Sequence, residues 1–182
     1  MTTTGTTAGT TTRPRAVRDP VRWPVPVAAR RSMLTLHVVS TAAWLGLDVA
    51  LGVLVFVPMA NPALTAACYQ VLPLLFWPVL TAGLLALLSG VGIGVMTRWG
   101  LVRHWWVAAK LVMNLLLLVL IALLLHPALT DAGEFGRALA TGTPTTVEVP
   151  RIFMPPVVST TVLLVATVLS VWKPKGRVSR RR

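Results

Sequence analysis

The chain has 182 residues, of which 55% are hydrophobic and 12% charged, with a mean hydropathy of +0.75 and a formal net charge of +12. Such an apolar chain is neither disordered nor a nucleic-acid-binding globule, because its charge is not spread over one basic face. Sixteen of the seventeen Lys and Arg stand in the tails and short gaps that frame four long apolar runs. Their expected partner is the anionic headgroup layer of a lipid bilayer, at about 1 kcal/mol per basic residue near the surface, and no nucleic acid. The single cysteine, Cys68, permits no intrachain disulfide and no thiolate metal cage.

Residues 1–32 read as a disordered, basic, cytoplasmic tail. The Thr-rich opening has nothing apolar to bury, and Pro14, Pro20, Pro24 and Pro26 interrupt the arginine-rich remainder. Arg30-Arg31 before an apolar run resembles a twin-arginine export signal, but the run of about 25 residues is longer than a signal-peptide core, so the pair is expected to flank an uncleaved span. The first span is predicted at 33–57, ending at Pro58 with a turn at Asn61-Pro62. The second, at 68–96, contains Pro73 and Pro78, which should kink it. A short connector with Arg98 and Arg103 leads to the third span at 105–126. Residues 127–154 read as the longest loop, the fourth span is predicted at 155–172, and a basic tail occupies 173–182. Roughly 20 apolar residues cross the hydrocarbon core, so 33–172 is expected to be an all-α polytopic membrane domain, a bundle of four transmembrane helices.

Basic residues in the flanks set the expected orientation. With the N-terminus inside, the inner segments hold fourteen Lys and Arg and the outer loops two, Arg137 and Arg151. Both termini are therefore expected on the cytoplasmic side of a bacterial plasma membrane. Among the Trp residues, Trp23, Trp77, Trp99, Trp105, Trp106 and Trp172 suit an interfacial belt.

Ionisable groups inside spans are costly and by default mark a functional site. In the first span His37, Thr41, Trp44 and Asp48 follow each other at helical spacing, so they share one face. In the third span Lys110 and Asn114 form an i,i+4 pair. His37 and Lys110 come level near the inner boundary, whereas Asp48 lies about 22 Å deep. Its expected partners are the end of the third span near His126, or Thr160 and Thr161 in the fourth. These residues form the candidate intramembrane polar site, with a relay, a ligand-positioning carboxylate or a register-fixing hydrogen bond as its possible roles. Gly83, Ala86, Gly90 and Gly94 form a small-residue packing face, either within the bundle or between protomers of a homo-oligomer. No catalytic triad, phosphate loop or zinc motif is present, and no metal site is expected.

Leu36-His37, then Trp44-Leu45-Gly46, and later Gly100-Leu101-Val102-Arg103-His104-Trp105-Trp106-Val107 running into Ala109-Lys110-Leu111 resemble a family of small uncharacterised integral membrane proteins of high-GC Gram-positive bacteria. The similarity covers residues 33–127. More distantly, the head histidine, the Trp-x-Gly and the Trp-x(3)-Lys-Leu pattern are similar to the copper-resistance D and HemJ-type membrane proteins. That resemblance implies a haem-ligand role for His37, with haem b as its cofactor, and a functional lysine at Lys110. Where that group is arginine-rich, this chain has Leu47-Asp48-Val49-Ala50. The expectation is therefore a non-enzymatic membrane protein, an accessory or small-transport component with no cofactor. The alternatives are a haem-binding redox protein using His37 and an assembly protein pairing through the glycine face.

Overall fold

The structure, a computed structural model, describes residues 26–96, 105–144 and 152–172, all helix or short turns with no strand among them. Residues 1–25 of the predicted N-terminal tail, the tail 173–182, residues 97–104 with Arg98, Arg103 and His104, and the segment 145–151 lie outside the described residues, whereas 27–32, expected to be disordered, are helical. Six α-helices follow one another: α1 Val27–Ala60, α2 Thr65–Val71, α3 Phe76–Met96, α4 Trp105–Leu120, α5 His126–Thr141 and α6 Met154–Trp172. Three helical stretches, Val27–Ala60, Pro62–Met96 and Trp105–Thr141, are long and apolar enough to cross a membrane, and Met154–Ser170 is a shorter apolar helix.

The helices run past the predicted span ends. α1 begins directly after Pro26, includes Arg30 and Arg31, and continues through Pro58 to Ala60. Its N-terminus takes the residue after a proline as its first helical position, and nothing then interrupts it. The second stretch starts at Pro62 rather than 68. Its expected kink is a tight 3-10 turn over Leu72–Leu75 containing Pro73, which lets the chain pass a residue without an N–H donor.

The predicted loop at 127–154 is helical over its first half, to Thr141. Trp105 to Thr141 is one helical run, widened at Ile121–Leu125 into a π segment immediately before Pro127. A widened turn accommodates the missing N–H of Pro127 and the bulk of its ring, so this proline does not end the helix. Leu129, Ala132, Gly133 and Gly136 then form a buried stripe, while Asp131, Glu134 and Arg137 are exposed. That 3.6-residue periodicity, not the charge, decides the conformation. α5 stops at Gly142, whose φ of 68° is the left-handed cap that glycine adopts without strain.

α1 packs along α3 and also against α6; α3 packs against α4, and α4 against α6, closing a cycle of four helices. At the far end of that cycle α2 pairs with α5. Their backbones approach closely at Gly136, where a Cβ would sit 3.0 Å from the Ala66 carbonyl oxygen and the Gln70 nitrogen. Tyr69 and Phe135 meet at 6.2 Å with their rings tilted 48°, and Phe76 meets the His126 ring edge-on at 4.5 Å. The core runs continuously from Trp44, Leu51 and Val55 through Val79 and Ala86 to Leu117, Ile121 and Leu129.

Candidate functional site

The polar face of α1 is buried at both of its deepest positions. Trp44 is fully buried and Asp48 is 3% exposed, whereas His37 and Thr41 are half-buried. The four residues do share one side of the helix, yet they meet different neighbours. Thr41 donates to the carbonyl of His37 in its own helix, so it adds no contact between helices. His37 turns to α3: its Nδ1 lies 3.0 Å from the Ala86 carbonyl oxygen and 3.1 Å from Ser89 Oγ. A carbonyl only accepts, so Nδ1 carries a proton and donates it to Ala86.

Trp44 fills the junction of α1, α3 and α4. A Cβ on Gly83 would lie 3.2 Å from its ring and 2.8 Å from Leu118 Cδ2, so a side chain there would oblige Leu118 or the indole to shift. The small-residue face of α3 is thus covered within the chain: Gly83 by Trp44 and Leu118, and Gly90 by the His37 ring. Ala86 and Gly94 are buried on the same face. Trp44 Nε1 and Asn114 Oδ1 are buried and find no hydrogen-bond partner among the described residues.

Asp48 is bonded by a residue that periodicity in the first and third spans does not reveal. Ser159 of α6 donates its hydroxyl to Oδ2 at 2.5 Å. The expected partners fall elsewhere: Thr161 donates to the Val157 carbonyl of its own helix, and His126 packs on Phe76. Lys110 likewise turns to α6, donating to Ser170 at 2.6 Å with its ammonium 4.9 Å from the Trp106 ring centre. Asp48 and Lys110 thus each bond a serine of α6. A signal for this was present: Ser159 and Ser170 are eleven residues apart, three helical turns, and so share a face. Neutral hydroxyls are common in apolar helices, which hid it.

Between α1, the π segment and the start of α6 lies a cavity of about 140 Å³. Asp48 and Ser159 are its polar edge; Leu51, Ile121, Leu125 and Pro156 belong to its apolar wall. The π segment supplies Ile121, Leu124 and Leu125 to one wall, and Pro155 and Pro156 at the start of α6 belong to the other. Its rim includes Leu124 and Met154, 61% and 57% exposed, so the cavity borders the outer, apolar surface of the helices. His37 is eleven residues from Asp48, about 16 Å along the helix, and does not line it. Among the described residues no three His, Cys, Asp or Glu side chains gather as a metal site.

No protein-family model, curated protein or solved structure matches this chain. The site itself is therefore the ground for a functional reading.

Proposed function

We propose that the chain is a non-enzymatic, multi-pass protein of a bacterial plasma membrane that holds a small ligand in the Asp48 chamber, as a binding or small-transport component. In this reading the cycle of α1, α3, α4 and α6 is a four-span bundle with both termini cytoplasmic, as the basic flanks favour. The observation that carries the reading is a carboxylate 3% exposed, held by Ser159 on the wall of an otherwise apolar cavity. A carboxylate in hydrocarbon is expensive to keep and is ordinarily retained for what it binds. The chamber also matches the size of an engineered apolar cavity of about 150 Å³ that admits benzene. Ser159 and Asp48 pair a hydroxyl with a carboxylate, but no third described residue orients the carboxylate and no described donors line the cavity to stabilise a developing charge, which favours binding over chemistry.

The sequence supplies a direct probe, since it contains only three isoleucines, Ile93, Ile121 and Ile152. Ile121 lines the chamber, and Ile93 lies near the opposite end of α3. With isoleucine methyls labelled and the protein in lipid nanodiscs, titrated toluene is expected to shift the Ile121 methyl saturably and leave Ile93 unmoved. Parallel, non-saturating shifts at both would mean simple partition into lipid and would end this reading. A haem Soret band in the same purified sample, lost in His37→Ala, would move the function to redox chemistry.

A further inference from the structure

Resting on the chamber as a ligand site, we infer that its ligand is a small lipophilic amine, with an apolar body of about one ring and a protonated nitrogen bonded to Asp48. The carboxylate has unused capacity. Ser159 serves Oδ2, while no described residue donates to Oδ1, although a carboxylate offers about four acceptor sites. The side chain is nevertheless buried and lies on the cavity wall.

The described residues supply no internal counter-ion at this place. None of the residues lining the chamber is basic, and Lys110 stands eleven residues from Ile121, about 16 Å away along its helix, bonded to Ser170. A buried carboxylate left to a single hydroxyl is incompletely compensated. An ammonium brings both charge and several N–H donors, whereas an alcohol brings one neutral donor and an anion is repelled. The rest of the cavity dictates the other half of the ligand. Its walls are leucine, isoleucine, proline and methionine, so the body that fills it is apolar. Access fits as well, because the rim at Leu124 and Met154 opens on the apolar outer surface, where lipophilic amines concentrate from the bilayer.

The test compares probes of one shape and different charge: benzylamine, benzyl alcohol and benzoate, each titrated at neutral pH while the Ile121 methyl is followed in nanodiscs. Benzylamine is expected to bind about tenfold more tightly than benzyl alcohol, the difference between a charge-assisted and a neutral hydrogen bond, and benzoate not to saturate. Asp48→Asn should erase the preference of amine over alcohol, and Asp131→Asn, on the exposed face of α5, should preserve it. Equal affinity of amine and alcohol in the unaltered protein overturns the proposal, as does preferred binding of benzoate. That comparison stands whether or not Asp48→Asn folds. If toluene saturates at Ile121 and the amine shows no preference, the ligand class is wrong and the chamber survives; if nothing saturates there, the chamber reading itself has failed.

Discussion

Ser159 and Asp48 form a buried hydrogen bond between α1 and α6, residues 111 positions apart in the chain. In a membrane such bonds are weaker than their surroundings imply, because the alternative packings of the same helices also find partners. A double-mutant cycle of Asp48→Ala and Ser159→Ala, read by thermal unfolding in detergent, is expected to give a coupling of about 1 kcal/mol. A coupling near zero would mean that the hydroxyl only happens to lie beside the carboxylate. Trp44 is more structural than its place in the polar stripe implies: it is fully buried, its Nε1 finds no partner among the described residues, and a side chain at Gly83 would crowd its ring. His37, similarly, spends its Nδ1 proton on joining α1 to α3.

The helices owe their irregular points to proline. Pro73 lies in a 3-10 turn, Pro127 follows a π segment, and Pro155 and Pro156 open α6. Each position lacks a donor, and each local departure leaves the remaining helix intact. The second of these also supplies part of the chamber wall. Beyond it, α5 pairs with α2 through glycine, and Gly136 faces backbone rather than a movable side chain. Gly136→Val therefore has to push α2 away. It is expected to lower stability by about 1–3 kcal/mol, the usual cost of overpacking. The exposed neighbour Ala140→Val serves as the control and should change little. Equal unfolding temperatures for the two variants would show that the α2–α5 pair adds no stability.

Taken together, the long helices exceed what a bilayer requires. α1 has 34 residues and extends about 51 Å, against a hydrocarbon core of roughly 30 Å. α6, with 19 residues, extends about 28 Å and matches that core. If α1, α3, α4 and α6 span the bilayer as proposed, the α2–α5 pair, with exposed Asp131, Glu134 and Arg137, is the part that reaches headgroups and water on one side. On the orientation argued from the basic flanks, that side is the outer one. In a Cys68→Ala background, Ala140→Cys is expected to react with an impermeant thiol reagent on intact cells and Val178→Cys only after lysis. The opposite pattern would invert the topology.

Much of this molecule is legible along the chain because lipid leaves few choices. Runs with almost no charge, such as 105–126 with Lys110 alone among Lys, Arg, Asp and Glu, have to be helices when no water is present to satisfy the backbone, and that reasoning located the apolar helices and the common face of His37, Trp44 and Asp48. It faltered where two signals competed. Pro127 and the charges after it suggested a loop, but the stripe of Leu129, Ala132, Gly133 and Gly136 found a partner in α2, and packing outweighed the local break. No spacing rule chooses which helix lies next to which. That choice belongs to the tertiary structure, and it decided that Asp48 meets Ser159, that Lys110 meets Ser170, and that the glycine face of α3 is covered by α1. The chamber depends on it most of all, since a cavity is a space between helices that are remote in the chain, and hydrophobicity alone specifies what is buried but not where the packing leaves room.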